Sequence, residues 1–205
     1  MFTGIVSNTF PVVKIQDSDD LRRIVVKLSP ELVHGLKIGA SVANNGVCLT
    51  VVGFDNTEVH FDIIDETLRL TNLGELVEGD VVNIERAASY GDEIGGHVVS
   101  GHIVGTADIV EIHKTETNTA IYLQADPKWS KYLMPKGFVS LNGCSLTVGE
   151  EVSEGRFSIH LIPETLAVTT FGEAKIGDRI NLEIDPSTQT IVDTVERYLA
   201  NKSFG

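Results

Sequence analysis

The sequence has few cysteines, few basic residues and no long apolar segment. Its 205 residues include 16 lysines and arginines against 29 acidic residues, which gives a net charge of −13. A chain this acidic, with no basic cluster, does not favour binding to nucleic acid. No apolar run approaches the ~20 residues of a membrane span. The first residues also lack the basic and apolar regions of a signal peptide. We therefore expect neither a nucleic-acid partner nor a membrane partner.

Motifs for metals, nucleotides and common nucleophiles are also missing. The two cysteines, Cys48 and Cys144, form neither a disulfide framework nor a Cys-x-x-Cys pair. His97 and His102 would point to opposite faces if they lay on one strand. There is no P-loop, no G-x-G-x-x-G and no G-x-S-x-G. These absences argue against a metal site, a standard nucleotide-cofactor enzyme and a serine hydrolase. Two unpaired cysteines favour a reducing, cytoplasmic location.

The sequence contains an internal repeat. Residues 45–51 recur at 142–148, 97 positions later, and matching residues between 66 and 85 recur between 164 and 183, 98 positions later. A repeat of this length indicates two copies of one domain of about 100 residues rather than a solenoid. With 42% hydrophobic residues the chain can fill two modest cores. Two similar folds in one chain can hold two similar ligands.

Strand periodicity dominates both copies. Val59, Phe61 and Ile63 alternate with His60 and Asp62, and the second copy repeats this pattern. The predicted fold is all-β, with two tandem closed antiparallel β-barrels related by internal duplication, plus a C-terminal α-helix. Short helices are predicted near residues 29–35 and 65–73, and a linker at 87–96. The predicted domains are residues 1–96, 97–186 and 187–205.

The clearest helix signal lies at the C-terminus and has no counterpart in the first copy. Asp185 and Pro186 form a good N-cap and first-turn pair. An apolar stripe follows at Ile191, Val192, Val195, Tyr198 and Leu199. Such a stripe favours oligomerisation through this helix. The alternative is that the helix covers one end of a barrel.

Candidate chemistry lies where the two copies differ. Cys48 and Ser145 occupy equivalent positions, each followed by Leu-Thr. A thiol and a hydroxyl there can act as nucleophiles or as hydrogen-bond donors to a ligand. Both can equally be small buried residues in a strand. The preceding Asn-Gly turns favour the first reading, because glycine lets a ligand approach the backbone closely.

Three further positions carry alternative readings. Asp185 aligns with Ala87, so it belongs to the second copy alone and is either a catalytic group or only a helix cap. Lys136 aligns with Gly39 and is either a cation near the pocket or an ordinary surface residue. His102, after Gly101, is either a proton carrier or a structural histidine.

Several motifs together resemble those of the riboflavin synthase family, alpha-chain type. They are Met-Phe-Thr-Gly-Ile-Val, Asn-Gly-Val-Cys-Leu-Thr-Val, Gly-Gly-His-Val-Val-Ser-Gly-His, Ser-Leu-Thr-Val, Leu-Ile-Pro-Glu-Thr-Leu and Asp-Thr-Val-Glu-Arg. The resemblance covers essentially the whole chain. It implies a transferase that converts two 6,7-dimethyl-8-ribityllumazine molecules into riboflavin and 5-amino-6-(D-ribitylamino)uracil without a metal or redox cofactor. It also implies a homotrimer, a site between barrels of two subunits, and association with lumazine synthase.

The resemblance also carries over site residues. The expected first pocket comprises Gly4, Ile5, Val6, Cys48, Leu49, Thr50, Asp62, Ile63, Ile64, Asp65, Glu66 and Thr67. The expected second pocket comprises Gly101, His102, Ile103, Lys136, Ser145, Leu146, Thr147, His160, Leu161, Ile162, Pro163, Glu164 and Thr165. The expected catalytic residues are Cys48, Ser145, Asp185, His102, Phe2 and Ser41.

One departure and two rival functions remain at this point. The second copy reads Asn142-Gly143-Cys144, where the family has Asp-Gly-Ile or Asp-Gly-Val, so a charge beside Ser145 is missing. We expect Cys144 to be a buried apolar residue.

One rival is a non-catalytic antenna protein of bioluminescence with the same two barrels. Retention of Cys48, Ser145, Lys136 and Asp185 disfavours it. The other rival is a duplicated β-barrel carrier for a small polar aromatic ligand.

Overall fold

The first half of the chain forms a closed six-stranded antiparallel barrel. The computed structural model describes residues 1–202, and the barrel order is β1-β2-β5-β4-β3-β6. The strands are β1 (Asn8–Ser18), β2 (Leu21–Lys27), β3 (Ser41–Asn44), β4 (Val47–Asp55), β5 (Glu58–Ile64) and β6 (Val81–Arg86). Closure leaves no unpaired edge strand in this ring.

The second half repeats the same ring except at one place, called the seam here, where two adjacent strands do not pair. Its order is β10-β9-β12-β7-β8-β11, the same sequence of neighbours as in the first barrel. The strands are β7 (Gly105–Lys114), β8 (Thr119–Ala125), β9 (Phe138–Leu141), β10 (Cys144–Thr147), β11 (Arg156–Leu161) and β12 (Arg179–Ile184). Strand β10 is shorter than its counterpart β4, so β10 and β11 share no ladder. The Gly149 N–H donates to the Ser158 carbonyl across this seam at 2.7 Å. The all-β fold of two duplicated barrels is confirmed, and the second barrel has the looser seam.

Helices occur at the three predicted places, and the second copy adds a further helix (Pro163–Val168) and two 3₁₀ turns that were not predicted. They are α1 (Pro30–Val33), α2 (Asp65–Leu70), α3 (Pro163–Val168) and α4 (Pro186–Lys202), with 3₁₀ turns at Asn72–Gly74, Pro127–Tyr132 and Thr170–Glu173. Helix α4 begins at Pro186, directly after the predicted N-cap. Within residues 1–202, no helix has the length and apolar character needed to cross a bilayer.

The alternating apolar residues fill the two barrels. Val59, Phe61 and Ile63 of β5 are at most 1% exposed and lie in the first core. Their counterparts in β11, including Phe157, lie in the second core. The last strand of each barrel behaves differently, because its polar residues are buried as well. Asn83 of β6 and Asn181 of β12 bond to the opposite barrel, and Glu85 and Glu183 of the same strands are 7% and 2% exposed.

The two barrels are joined by a duplicated set of amide hydrogen bonds. The Asn83 side-chain amide donates to the Asn142 carbonyl at 2.9 Å, and that of Asn181 donates to the Asn45 carbonyl at 2.9 Å. Within each barrel, the same asparagines also bond to each other. The Asn45 side-chain oxygen accepts from the Asn83 N–H at 2.8 Å, and the Asn142 side-chain oxygen accepts from the Asn181 N–H at 2.8 Å. Satisfied buried amides of this kind fix one arrangement of the two barrels.

The Asn-Gly turns meet each other at this interface. Asn45 (φ 44°) and Gly46 (φ 79°) form a two-residue hairpin turn in the left-handed region. A Cβ at Gly46 would come within 2.5 Å of the Gly143 nitrogen. Glycine is therefore required because the other copy's turn packs against it. The interpretation that these glycines admit a ligand is wrong.

Candidate active site

The segments that precede the two barrels cross over each other. The Phe2 N–H donates to the Val99 carbonyl at 2.7 Å, and the Val99 N–H donates back to Phe2 at 3.0 Å. Each segment then continues onto the barrel that it does not belong to. Val6 lies in the core of the second barrel, and Ile103 packs against the core of the first. Each half of the chain therefore completes the other half's barrel.

The crossing regroups the predicted pocket residues. The Ser145 N–H donates to the Gly4 carbonyl at 2.8 Å, and the Cys48 N–H donates to the Gly101 carbonyl at 3.0 Å. The predicted pockets paired Gly4 with Cys48 and Gly101 with Ser145. The backbone contacts instead join Gly4 to Ser145 and Gly101 to Cys48, while the predicted grouping into two ligand pockets stays a prediction.

Close contact at both crossings requires glycine. A Cβ at Gly4 would lie 2.5 Å from the Ser145 Cβ, and one at Gly101 would lie 2.4 Å from the Cys48 Cβ. Both glycines also have positive φ, 74° and 83°. The repeated glycines therefore mark places where the backbone is pressed against the two candidate nucleophiles.

A histidine that sequence reasoning did not select lies beside Ser145. His97 Nδ1 is 2.6 Å from the Ser145 Oγ. The ring is 7% exposed and stacks on Phe138 with centroids 5.0 Å apart. Its other nitrogen, Nε2, is buried and has no hydrogen-bond partner within residues 1–202. The signal for His97 was present in the Gly-Gly-His motif, but only the fold reveals that this motif reaches Ser145.

The protonation state of His97 follows from its burial. Burial lowers the pKa of the imidazole, and the nearby Asp185 carboxylate opposes that shift without reversing it. A lowered pKa keeps the ring neutral at pH 7, so one ring nitrogen has a free lone pair. The Ser145–His97 pair can therefore transfer a proton to or from a bound molecule.

Asp185 is both a helix cap and an electrostatic neighbour of His97. Its carboxylate accepts from the Thr188 N–H at 2.9 Å, the Thr188 hydroxyl at 2.7 Å and the Ser187 N–H at 3.3 Å. Partial burial raises the pKa of Asp185, but these hydrogen bonds and His97 outweigh it, so the net pKa is below its ordinary value. The two readings of Asp185 are therefore compatible in one structure.

Cys48 lies in a small apolar cluster. Its half-buried thiol packs with Phe2, Ala43 and Val99, and it is not in a disulfide. Two of the expected catalytic residues, Phe2 and Cys48, are thus brought together. Ser41 begins β3 and lies opposite Thr50.

His102 does not join Cys48 or Ser145 through a hydrogen bond in the described part of the chain. Its backbone N–H donates to the Ser100 Oγ at 3.2 Å, while its side chain is exposed. A role as proton carrier stays a prediction.

Not every expected ligand residue can offer its side chain. Leu49, Ile63 and Leu161 are at most 5% exposed and belong to barrel cores, so only their backbone can reach a ligand. Asp62 forms a two-contact ion pair with Arg23 at 2.6 and 2.8 Å, which holds the pKa of its carboxyl below the usual value. This pair uses part of the acceptor capacity of Asp62.

Helices α2 and α3 present uncapped first turns at equivalent places. Ile64 and Ile162 precede them, are 57% and 60% exposed, and provide no side-chain cap. The first N–H groups of a helix have no partner inside the helix. The stretches Ile64 to Thr67 and Ile162 to Thr165 can therefore offer backbone donors to the carbonyl oxygens of a ligand. Asp65, Glu66, Pro163 and Glu164 within them have exposed side chains.

Lys136 lines a cleft of the second barrel. Its backbone has φ 64°, a conformation that favours glycine, and the aligned residue of the first copy is Gly39 with φ 87°. Its ammonium lies 3.1 Å from Glu150. The cleft has a volume of about 1260 Å³ and is lined by residues of β8, of β11 and of the loop 149–154. Its lining residues include Lys136, Tyr122, Gln124, Arg156, Ser158 and His160.

The departure at Asn142 lies away from the chemistry of Ser145. The Asn142 side chain is 3% exposed and lies between the barrels, where it accepts from Asn72 at 3.1 Å as well as from Asn181. Cys144 is in the second core, and burial raises the pKa of its thiol strongly. The expectation that Cys144 is a buried apolar residue is confirmed. An asparagine suits this buried position because the first copy places Asn45 there too.

Comparison with known proteins shows the family of the chain. The lumazine binding domain matches residues 3–87 and 100–185. Riboflavin synthase of Escherichia coli K12 is 53% identical over 98% of the chain and 94% of that protein. Riboflavin synthase of Bacillus subtilis is 37% identical over 90% of the chain and 85% of that protein. The crystal structure of LumP with riboflavin superposes with a TM-score of 0.84 at 26% identity, covering 90% of this chain and 100% of LumP. The chain belongs to the riboflavin synthase family, and its two barrels are lumazine-binding domains.

Proposed function

We propose that this chain is a transferase that converts two molecules of 6,7-dimethyl-8-ribityllumazine into riboflavin and 5-amino-6-(D-ribitylamino)uracil. A four-carbon unit passes from a donor lumazine to an acceptor lumazine. The atoms of the two substrates equal those of the two products, so the reaction needs no oxidant or reductant. The observation that carries the proposal is the duplication: a reaction that consumes two copies of one molecule meets a chain with two copies of one lumazine-binding fold.

The donor lumazine must lose a proton from its C7 methyl group. That proton is acidic because the resulting anion is delocalised into the ring. Ser145, in contact with the neutral imidazole of His97, is suited to accept or relay it. Asp185 stabilises the imidazolium that would form, since it lies close enough to affect the His97 pKa. His102 is a second candidate proton carrier.

The acceptor lumazine must be activated at C7 by a nucleophile. The Cys48 thiol is one candidate, and a water or a ribityl hydroxyl is another. Phe2 packs beside Cys48 and would shape the contact between the two rings, with Ser41 nearby on β3. Much of the rate would come from holding two rings face to face, because orientation contributes most to a bimolecular step.

Ligand binding would use both backbone and side chains. Backbone donors at the starts of α2 and α3 suit the pyrimidine edge of a lumazine. Side chains along the barrel openings suit the ribityl hydroxyls: Thr50 and Asp62 in the first barrel, and Thr147, His160 and Lys136 in the second. Gly4, Ile5 and Val6 would line the second pocket with Ser145 and Leu146. Gly101, His102 and Ile103 would line the first pocket with Cys48 and Leu49.

We propose a homotrimer in which each active site lies between the first barrel of one subunit and the second barrel of another. Helix α4 supports this arrangement. It packs on the second barrel through Val192 and is held by the Tyr132 hydroxyl, which donates to Asp193 at 2.5 Å. Ile191, Val195 and Tyr198 are 51–64% exposed. An apolar stripe of this kind suits a subunit contact. The functional domains would be residues 1–96, 97–186 and 187–205.

The setting of the reaction follows from the same resemblance. We propose a cytoplasmic location, in which the two free cysteines stay reduced. We also propose association with lumazine synthase, which would bring the substrate close to the site.

The rival is a binding protein of the same fold. The likeness to LumP, solved with riboflavin and with 6,7-dimethyl-8-(1'-D-ribityl)lumazine, favours it as a second candidate. The test is to incubate the purified protein with the lumazine and to quantify both products by chromatography. We expect one riboflavin for every two lumazines consumed, with an equal amount of the aminouracil. Tight binding with no riboflavin would select the binding protein. A Ser145→Ala variant serves as the control for enzyme-derived product.

A further inference from the structure

Each barrel buries one carboxylate that the proposed chemistry does not use. Glu85 on β6 and Glu183 on β12 are equivalent in the two copies and are 7% and 2% exposed. Neither forms an ion pair with lysine or arginine in residues 1–202. Burying a carboxylate without such a partner is costly unless hydrogen bonds compensate.

The compensating donors all come from the crossing segments. Glu85 accepts from the Thr3 N–H at 2.6 Å, the Thr3 hydroxyl at 2.7 Å and the Gly4 N–H at 3.1 Å. Glu183 accepts from the Ser100 N–H at 2.7 Å, the Ser100 hydroxyl at 2.6 Å and the Gly101 N–H at 3.1 Å. Charge-assisted bonds of this length are the strong kind.

The anchored segments touch the candidate nucleophiles of the opposite barrels. Glu85 belongs to the first barrel, but Gly4, which it holds, accepts the backbone bond of Ser145 in the second. Glu183 belongs to the second barrel, but Gly101 accepts the backbone bond of Cys48 in the first. Each carboxylate is therefore connected to the candidate nucleophile of the other barrel through two successive hydrogen bonds, one to the glycine and one from the glycine to the nucleophile residue.

We propose that Glu85 and Glu183 are positioning residues with crossed targets: Glu85 fixes the Ser145 site, and Glu183 fixes the Cys48 site. The inference rests on the proposed function in treating Cys48 and Ser145 as site residues. The contacts themselves do not depend on it. Each barrel's site geometry is thereby set by a side chain of the other barrel.

A purely structural role fits these residues less well. Burial raises the pKa of both carboxyls despite their hydrogen bonds. A raised folded-state pKa means that ionisation at neutral pH opposes folding rather than favouring it. Glutamine has nearly the same volume and no charge, yet its NH₂ group would face the Gly4 or Gly101 N–H, donor against donor. A glutamine variant should therefore keep the fold and loosen the anchored segment.

Thiol reactivity reports on each site separately. Cys48 is half-buried and reactive in principle, whereas Cys144 is 3% exposed with a raised thiol pKa and should stay silent. A second reporter is Ser145→Cys in a Cys48→Ser background. The rate of reaction of each thiol with 5,5′-dithiobis(2-nitrobenzoate) is measured alone and combined with Glu85→Gln or Glu183→Gln. Release of the glycine that covers the thiol should increase its rate.

We expect a crossed pattern. Glu183→Gln should speed modification of Cys48 by about fivefold or more and leave the thiol at position 145 within about twofold. Glu85→Gln should do the reverse. Equal effects on both reporters, or none on either, would overturn the proposal. If the glutamine variants do not fold, Ser100→Ala and Thr3→Ala each remove one hydroxyl donor and should give the same crossed pattern, about twofold in size.

Turnover separates this inference from the proposed function. If the chain converts the lumazine, both glutamine variants should lower kcat by about tenfold, since misplacement of a catalytic group is costly. A crossed thiol pattern in a protein that makes no riboflavin would leave the inference standing and remove the proposed function. Full turnover in both glutamine variants would overturn the inference.

Discussion

Adding one methyl group at Gly101 is expected to damage the Cys48 site more than the left-handed backbone alone can explain. The new Cβ of Gly101→Ala would lie 2.4 Å from the Cys48 Cβ and 2.8 Å from the Cys48 nitrogen. Neither atom is the end of a flexible side chain, so the crossing segment must move. Gly39→Ala is the matched control, because its φ of 87° is close to the 83° of Gly101 and, apart from its chain neighbours, no described residue has an atom within 4 Å of the new Cβ.

The two substitutions share one cost and differ in the other. Placing alanine in a left-handed conformation costs about 1–2 kcal/mol in both variants. Overpacking adds about 1–3 kcal/mol at Gly101 alone. The expected loss in the free energy of unfolding is therefore about 1–2 kcal/mol for Gly39→Ala and about 2–5 kcal/mol for Gly101→Ala.

Urea unfolding gives the free energies, and the riboflavin assay gives the effect on turnover. Turnover should fall strongly in Gly101→Ala below its unfolding midpoint and much less in Gly39→Ala. Equal losses in the two variants would refute the reasoning, because the backbone conformation would then account for the whole effect. A stable and fully active Gly101→Ala would show that the close approach to Cys48 is not required.

The remaining predictions concern the nucleophile, the cap and the last helix. Cys48→Ala should lower kcat far more than it raises KM, whereas Cys144→Ala should change stability and leave kcat largely intact. If Cys48→Ala raised KM without lowering kcat, Cys48 would be only a residue that lines the pocket. Asp185→Ala should cost about 1 kcal/mol of stability at pH 7, because the side chain then no longer accepts hydrogen bonds from the first turn of α4. Because the folded-state pKa of Asp185 is lowered, that difference should be full above about pH 4 and shrink as pH falls through the folded pKa; a difference unchanged in acid would contradict the cap. Removing residues 190–205, of which 203–205 lie outside the described structure, should give monomers with folded barrels, retained lumazine binding and little activity. Sedimentation that still shows trimers after this truncation would refute the prediction.

Much of the fold could be predicted because it depends on local patterns. Period-2 alternation in β5 and β11 and the Asp185-Pro186 cap are properties of short segments, and their predictions are confirmed. The looser seam of the second barrel could not be predicted in this way. It depends on the absence of a ladder between β10 and β11, although both copies read Ser/Cys-Leu-Thr-Val at that point.

The site was harder to predict, because it depends on contacts between residues that are far apart in sequence. The alignment of the two copies relates Cys48 to Ser145. It does not relate Ser145 to Gly4 or His97, which contact Ser145 in the structure but lie 141 and 48 positions from it in the sequence. The glycines of the two Asn-Gly turns were interpreted as places where a ligand approaches the backbone closely. The partner at Gly46 was wrongly taken to be a ligand, because sequence patterns do not reveal how two identical turns pack against each other.

The most direct test of the account asks whether one active site is built from barrels of two subunits. Cys48→Ala and Asp185→Ala are each expected to be inactive. The two variants are unfolded, mixed in equal amounts and refolded, and mixed trimers are verified by mass spectrometry. In a head-to-tail trimer, about a quarter of the sites would then combine an intact first barrel with an intact second barrel. The account predicts recovery of riboflavin formation to about a quarter of the unmutated level. Activity no higher than that of each variant refolded alone would contradict it and would place the whole site within one subunit.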